Sequence, residues 1–443
     1  MRHGQRYVIG PGGFPDLRVN AFLASPKMRV LADSTNRDYA YSLALWLNFL
    51  VVRGLRWWEA TEDDVAEFQF WRMTDPANEG PVGGSAFSKD VAACKKFYRW
   101  AWKRYRVVDP FEEFTAPEAK RRSDVRWLDP AAVARWRDLA LRGRSVSGRL
   151  DPSWRGRNDQ RNVAFVNGLY GTGLRVDSWA SITLPELPTV SEGRAYFTCT
   201  LADACAKGGY GYPYWMPRAV LAGVRAYVEG PRARAVRQAQ VAGRYTDERA
   251  IRVVASSATR KAARFENADG RTVERSWRLI SPALRRRLYR ETEQGLEPVS
   301  LWLNEDGMPR AGHAWQHVFR EGNERIEQRG LDGFTCTAHM LRHSFALKWF
   351  AIGKLVSAGR LASLSADGAR DFRDQFGDVW HLVQTLLGHR SVETTKGVYL
   401  EPFRSLDVEL LLAHAEGFPV DQFMADAFAM HPRVRTDPLA ALG

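Results

Sequence analysis

The sequence has few cysteines and no long apolar run. The four cysteines are scattered without a CxxC spacing, so neither a disulfide framework nor a cysteine zinc site is indicated, and we interpret them as small core residues. No stretch reaches the roughly 18 consecutive apolar residues that a membrane-spanning helix needs. The first residues also lack the apolar centre of a signal peptide. We therefore expect a cytoplasmic protein with no membrane partner.

Lysine is scarce as well, although positive charge is in excess. The 443 residues include 64 Lys and Arg against 51 Asp and Glu, which gives a formal net charge of +13. Only 11 of the 64 are lysine, so 53 are arginine, the cation whose planar fork suits bidentate contact with phosphate. A GC-rich coding bias would raise the ratio of arginine to lysine, but it would not produce net charge. Nucleic acid is therefore the favoured partner.

Apolar content predicts a folded chain that begins with a small helical domain. Hydrophobic residues make up 45% of the sequence, with 16 Trp and 22 Phe, which excludes a mainly disordered protein. We expect an irregular segment at 1–30 and a helical, DNA-binding domain at 31–107. Apolar spacing and capping residues predict three helices in this domain. They run from about Asp33 to Gly54, from Thr61 to just before Asp75, and from Ser85 to about Arg106.

The third of these helices ends in KKFYRWAWKRYR, where cations alternate with aromatic residues. This mixture is typical of a helix that turns its aromatic side chains inward and its cations outward. A solvated basic face is the simpler interpretation, and contact with DNA is the functional one. The candidate DNA-binding residues are Lys95, Lys96, Arg99, Lys103 and Arg104.

A larger domain of mixed structure is predicted after a linker at 108–126. We expect it to span 127–403 and to be mainly helical, with a small antiparallel sheet, so the fold class is α+β. Two β-rich stretches, at about 195–201 and 212–216, flank AKGGYG and predict a hairpin. Residues 230–290 are arginine-rich without a clear buried stripe, which indicates an insertion or a mobile elaboration. The segment 404–443 follows, and its apolar stripe packs either on its own domain or on a neighbouring protomer.

Four short stretches of the larger domain carry residues suited to chemistry. Each alone has a structural explanation, such as a surface ion pair or a buried polar residue. The first stretch places an arginine after a glycine turn, and the second places a lysine beside two glycines. The third has a His-x-x-Arg pair on one helix face, and the fourth has a histidine that is followed by a tyrosine. The stretches are GTGLR at Gly171–Arg175, KGG at Lys207–Gly209, HMLRH at His339–His343, and LGH at Leu387–His389, with Tyr399 beyond the last.

Together and in this order, these stretches resemble the tyrosine recombinases, the phage-integrase family. The wider sequences GLYGTGLRVDSWASI, TAHMLRHSFAL and VQTLLGHRSVETTKGVYL are similar to the motif blocks of that family. The resemblance covers about residues 125–400 and, more loosely, 31–107. It implies a core-binding domain and a catalytic domain that close as a clamp on duplex DNA. It also implies a homo-tetramer on paired DNA sites, and it allows accessory proteins.

The resemblance implies a role for each matching residue. Arg175 and Arg342 would hold the scissile phosphate, and Tyr399 would be the nucleophile that forms a 3′-phosphotyrosyl bond. Lys207 would act as general acid, while His339 and His389 would handle protons and hydrogen bonds to phosphate. Fork-shaped guanidinium donors suit the charge of a phosphoryl transition state without a metal. We therefore expect neither a metal nor another cofactor.

One departure from the family and several alternatives stand beside this interpretation. Relatives commonly have an acidic residue three positions after the first arginine, whereas this chain has Ser178 there and Asp177 one residue earlier. A type IB topoisomerase or a hairpin-telomere resolvase would share the chemistry without exchanging partners. A DNA-binding protein that kept the fold but lost catalysis is the alternative from another class. His313 and His317 have helical i,i+4 spacing, but no third metal ligand stands near them.

Overall fold

The chain divides into two compact units, Met1–Ser123 and Asp124–Gly443, and this division falls inside the stretch predicted as a linker. Each unit has its own hydrophobic core. The predicted clamp concerns the arrangement of the two units and stays a prediction. The computed structural model describes residues 5–31, 33–117, 126–189, 194–246, 253–259, 261–266, 270–362, 379–388, 424–425, 431 and 433–439.

Among the described residues of the first unit, the regular structure is helical apart from an isolated β-bridge between Ile9 and Pro15, and the three predicted helices are confirmed. The expectation of an irregular segment at 1–30 is wrong where two further helices form. Asp16 explains the first of them, because its carboxylate accepts the backbone N–H groups of Arg18 (2.8 Å) and Val19 (3.2 Å) and caps the helix. The five helices of the described residues are α1 Leu17–Leu23, α2 Pro26–Arg29, α3 Asp33–Val52, α4 Glu62–Met73 and α5 Gly84–Tyr105.

Aromatic side chains fill the core of the first unit. The ring of Trp46 meets Phe68 and Phe111 edge-on at centroid distances of 5.1 and 5.0 Å, the geometry that aromatic quadrupoles prefer. The Trp46 indole N–H donates to the hydroxyl of Tyr98 (3.0 Å), and that hydroxyl donates to the Trp57 carbonyl (2.6 Å). The buried polar ends of these large residues are therefore satisfied.

The second unit is mixed, and the α+β class is confirmed. Its described helices are α6 Pro130–Leu141, α7 Asp159–Thr172, α8 Val176–Ala180, α9 Arg218–Tyr227, α10 Ala233–Val241, α11 Pro282–Arg285, α12 Trp315–Glu327, α13 Ala338–Ala362 and α14 Val379–Leu387. Its described strands are β1 Trp127–Leu128, β2 Tyr196–Thr200, β3 Pro213–Pro217, β4 Val253–Ala258, β5 Ala262–Glu266, β6 Thr272–Ser276, β7 Leu288–Thr292, β8 Gly295–Pro298 and β9 Val434–Arg435.

The strands form three small sheets. The predicted hairpin is confirmed, since β2 and β3 pair antiparallel with Tyr196 opposite Pro217 and Thr200 opposite Pro213. A five-stranded sheet has the order β6-β5-β4-β7-β8, in which β4 and β7 run parallel and the other neighbours antiparallel. Strands β1 and β9 form a parallel pair. No described helix combines the length and the apolar character needed to cross a membrane.

The five-stranded sheet lies largely within the stretch predicted as an insertion, and we call β4–β8 and the turns between them the inserted sheet. The expectation that this stretch lacks a buried stripe is wrong. Phe265, Trp277, Ile280 and Leu288 form a small core of their own. Successive side chains of a strand point to opposite faces of the sheet, so only every second side chain is buried. A few apolar residues among many arginines are therefore enough to form a core.

Helix α7 lies in the main core of the second unit and leads to the residues suited to chemistry. Its Phe165 ring stacks on Trp315, and its Gly168 admits the ring of Trp179, which a Cβ there would approach to 2.2 Å. The helix contacts α9, α13 and β3. The end of α7 is therefore held at a fixed place beside α13.

Candidate active site

The first motif, GTGLR, forms the sharp turn that ends α7. Gly173 has a φ of 65°, and its N–H donates to the Leu169 carbonyl (3.0 Å), so it caps the helix in the left-handed conformation that favours glycine. A Cβ on Gly173 would lie 2.3 Å from the Phe345 ring of α13. Glycine is therefore required at position 173 for two reasons, its backbone conformation and the closeness of Phe345. The turn places Arg175 at the N-cap of α8, as the sequence predicts.

Arg342 is buried at 1% exposure and joins two of the other motifs. It lies on α13, and its guanidinium donates to the carbonyl of Gly173 and to that of Leu387, the latter at 2.7 Å. Gly173 stands two residues before Arg175, and Leu387 two residues before His389. One side chain therefore connects the HMLRH, GTGLR and LGH stretches.

His339 lies on α13 with Arg342 and is affected by the cations of three motifs. Its side chain is exposed, but neighbouring protein atoms desolvate the imidazole in part and lower its pKa from the ordinary value, and the positive charges of Arg342, Arg175 and Lys207 lower it further. Its ring also meets that of His343 edge-on, with the centroids 5.1 Å apart. The structure thus brings Arg175, Lys207, His339 and Arg342 to one place, and it favours a neutral imidazole there.

Lys207 lies in the loop between β2 and β3, as predicted. Gly208 and Gly209 follow it with φ angles of 87° and 76°, a conformation that glycine adopts without strain. The buried Ser178 of α8 donates its hydroxyl to the Cys205 carbonyl at 2.9 Å. Ser178 therefore links the helix that begins after Arg175 to the loop that carries Lys207, a contact that sequence reasoning missed although it singled out this position as unusual.

His389 and Tyr399 lie outside the described residues, as does most of the predicted segment 404–443. The last described residue before His389 is Gly388, which has a φ of 61°. A Cβ on Gly388 would lie 2.4 Å from the ring of Tyr212, so glycine is needed where the LGH stretch passes the loop of Lys207. The described chain therefore reaches Gly388, the residue before His389, next to the loop of Lys207.

The candidate DNA-binding residues of α5 divide into two groups. Arg99, Lys103 and Arg104 are exposed on the helix, in agreement with the predicted outward face. Lys95 and Lys96 are half-buried: the Nζ of Lys95 donates to the Glu112 carbonyl at 3.4 Å, and that of Lys96 lies 5.8 Å from the Tyr39 ring centroid. Contact of all five residues with DNA stays a prediction.

Among the described residues, no group of three or more histidine, cysteine or acidic side chains is arranged to hold a metal ion. Of the two histidines considered in the sequence, His317 has its Nδ1 at 3.0 Å from the carboxylate of Glu321.

The comparison with protein families finds a match in the first unit. Residues 20–105 match the family model described as the phage integrase N-terminal SAM-like domain. The matched range includes α3, α4 and α5 and most of α1. No curated protein is similar enough to the chain to match it.

Solved structures similar to the chain include three tyrosine recombinases. The XerH recombinase in a post-cleavage complex with palindromic difH is 14% identical, with 87% of this chain and 80% of that chain covered and a TM-score of 0.46. For a Tn1549 integrase with transposon right-end DNA the identity is 13%, the coverages 89% and 96%, and the TM-score 0.44. For a lambda integrase dimer on a COC′ core site the identity is 13%, the coverages of this chain and that chain are 87% and 94%, and the TM-score is 0.40.

The family match confirms the predicted resemblance for residues 20–105, which are similar to the N-terminal SAM-like domain of phage integrases.

Proposed function

We propose that the protein is a site-specific DNA recombinase or integrase that cleaves and rejoins strands through a 3′-phosphotyrosyl intermediate. The observation that carries this proposal is the position of Arg342, which binds the turn before Arg175 and the end of α14 before His389. Three sequence motifs that are far apart in the chain thus meet at one guanidinium. The match of residues 20–105 to a phage-integrase domain supports the same function.

The proposed reaction needs positive charge around a phosphodiester, and the site supplies it. Attack by the phenolic oxygen of Tyr399 forms a bond to phosphorus while the bond from phosphorus to the 5′-oxygen breaks. The guanidinium groups of Arg175 and Arg342 stabilise the charge that gathers on the equatorial oxygens. The product keeps the single negative charge of a diester, and its phosphotyrosyl bond conserves the energy needed for religation.

Two protons move in this step, and each has a candidate carrier. The phenol must lose one proton, which a neutral imidazole such as that of His339 is able to accept. The departing 5′-oxygen must gain one, which the ammonium group of Lys207 donates. Partial desolvation and the cationic neighbours lower the pKa of His339, which favours the neutral imidazole that such a step requires.

Strand exchange between two DNA sites tests the proposed function. DNA fragments from the regions flanking the protein's own gene would be incubated with the protein, and the products and any protein-linked ends sequenced. We expect exchanged partners from the wild type and none from Tyr399→Phe, which should still bind DNA. Relaxation of plasmids by monomers without exchange would instead indicate a type IB topoisomerase or a resolvase, and binding without covalent capture would indicate a non-catalytic protein.

A further inference from the structure

The inserted sheet contacts the loop that carries Lys207 through a two-pronged ion pair. The Nε of Arg278 donates to one carboxylate oxygen of Asp203 at 3.0 Å, and its Nη2 donates to the other at 3.2 Å. Asp203 lies in a short 3-10 turn, Asp203–Cys205, four residues before Lys207. Arg278 lies in another, Trp277–Leu279, directly after β6. Paired N–H···O bonds of this kind fix orientation as well as distance.

The Arg278 end of this contact is firmly attached to the second unit. Its neighbour Trp277 is buried, and the indole N–H donates to the Thr259 carbonyl at 2.8 Å. The buried Arg285 donates to the Trp277 carbonyl at 2.6 Å and also binds the carboxylate of Glu186. Arg278 therefore projects from a fixed turn and not from a free loop end.

The Asp203 end closes the loop of Lys207 upon itself. Besides binding Arg278, the carboxylate accepts the backbone N–H of Gly211 at 2.7 Å. A Cβ on Gly211 would lie 2.2 Å from the Leu201 carbonyl, so the two sides of the loop approach each other closely at this point. Lys207 stands between Asp203 and Gly211 in the sequence, and Ser178 holds the same loop from α8.

We propose that Asp203 and Arg278 are positioning residues for Lys207, and that the inserted sheet holds the loop so that the ammonium group meets the departing 5′-oxygen. This inference rests on the proposed function, because it assigns the sheet a part in that reaction. Neither residue transfers a proton itself, since each acts through the position of Lys207.

Two measurements on the full chain separate anchoring from chemistry. Amide hydrogen exchange tests the anchor directly: Arg278→Ala should speed exchange of the amides between Asp203 and Gly211. Cleavage of a nicked substrate tests the consequence, and we expect Arg278→Ala to lower its rate about tenfold, a part of the 10²–10⁴ that a general acid typically contributes. A substrate with a bridging 5′-sulfur needs no proton on its leaving group, so with it the loss should shrink to less than about twofold.

Matched variants make both results specific. Arg264→Ala breaks another exposed ion pair of the inserted sheet, with Glu274 at 3.0 Å, and should change neither measurement. Lys207→Ala should be rescued by the 5′-sulfur in the same way as Arg278→Ala, and Arg278→Lys, which lacks the fork, should restore activity only in part. Unchanged loop exchange in Arg278→Ala, equal losses on both substrates, or the same effects in Arg264→Ala would overturn the inference.

The proposed function fails in a different way from this inference. If the wild type formed no covalent adduct with either substrate, the proposed reaction would be refuted, and the role assigned to the sheet with it. Faster loop exchange in Arg278→Ala would then still show that the ion pair anchors the loop. If the wild type cleaves, and Arg278→Ala cleaves each of the two substrates as fast as the wild type does, the positioning role alone would be refuted.

Discussion

The candidate active site and the inserted sheet both contain an arginine that is about 1% exposed, but the two side chains have different partners. Arg285 donates to both carboxylate oxygens of Glu186, at 2.6 and 3.0 Å, and to backbone carbonyls around it. Arg342 donates to the carbonyls of Gly173 and Leu387, and its charge lowers the pKa of His339. The carboxylate of Glu186 thus neutralises the charge of Arg285, whereas the two described hydrogen bonds of Arg342 connect it to two other sequence motifs.

Pairing with a carboxylate recurs at a second buried arginine, Arg232. Arg232 follows the pattern of Arg285, since it binds Glu297 and the carbonyls of Leu301, Pro298 and Ser300. Burial raises the pKa of the Glu297 carboxyl, but Arg232 and Arg290 outweigh burial and the net shift is downward. In this arginine-rich chain, pairing with a carboxylate therefore accounts for the burial of Arg285 and Arg232 by structure alone.

The largest effect on stability is expected from breaking the ion pair between Arg285 and Glu186. Glu186→Gln leaves the buried guanidinium of Arg285 without its counter-charge, which typically costs about 3–5 kcal/mol of stability. Chemical denaturation should show this loss in the second unit, while cleavage per folded molecule should fall no further than in Arg278→Ala, because Glu186 acts on the Lys207 loop only through Arg285 and the turn of Arg278. Replacing both partners with apolar residues of similar volume should restore most of the stability. A large loss of cleavage in the fully folded variant would contradict the structural role.

The second effect concerns the arginines proposed to bind phosphate. Arg175→Ala and Arg342→Ala should each lower the cleavage rate by on the order of 10²–10³. DNA affinity should change much less, because a chain with a net charge of +13 has many other cations available for contact with the backbone. Arg342→Ala should also lower the unfolding temperature, since Arg342 joins α13 to two other segments. Equal losses of binding and cleavage would contradict the assignment of these residues to the transition state.

A smaller effect is expected at Ser178, which connects the two parts of the site. Ser178→Ala removes its hydrogen bond to the Cys205 carbonyl, and a bond of this kind contributes roughly 0.5–1.5 kcal/mol. We expect a modest drop in the unfolding temperature and faster amide exchange in the loop of Lys207. Ser88→Ala is a suitable control, because the Ser88 hydroxyl donates within its own helix of the first unit, to the Gly84 carbonyl. Similar loop exchange in both variants would show that Ser178 does not hold the loop.

The smallest effect is the pH dependence contributed by His339. Because its pKa is lowered in the folded state, the unfolded state binds more protons between that lowered value and the ordinary pKa of about 6.5. Stability should therefore fall as pH falls through this range, and the fall should be smaller in His339→Gln. Denaturation curves of both proteins at a series of pH values would show it. Identical curves would mean that the three cations do not act on this imidazole.

The sequence predicted the parts of the fold that depend on local pattern. The helices of the first unit and the β2–β3 hairpin follow from apolar periodicity, capping residues and glycine turns. Helix α1 was missed because its cap, Asp16, stands in a stretch rich in glycine and proline. The inserted sheet was missed because its strands are short and its buried arginines resemble solvent-exposed ones. The partner of Arg285 stands 99 residues away in the chain, so no local pattern reveals it.

The site was predicted in its residue types but not in its connections. Arg175, Lys207, His339 and Arg342 were named from the order of their motifs, and the structure brings these four together. Sequence alone could not show that Arg342 binds the carbonyls of two other motifs, that Ser178 holds the Lys207 loop, or that Asp203 binds Arg278. Each of these contacts joins residues that are brought together only by the packing of the whole unit.

Covalent capture of DNA tests the central claim most directly. The protein would be incubated with a suicide substrate nicked near its recombination site, and the adduct digested and sequenced by mass spectrometry. The account predicts that Tyr399 carries the 3′-phosphate of the cleaved strand, that a free 5′-hydroxyl is released, and that Tyr399→Phe gives no adduct. An adduct on any other residue, a 5′-linked product, or an adduct formed at wild-type levels by Tyr399→Phe would contradict it.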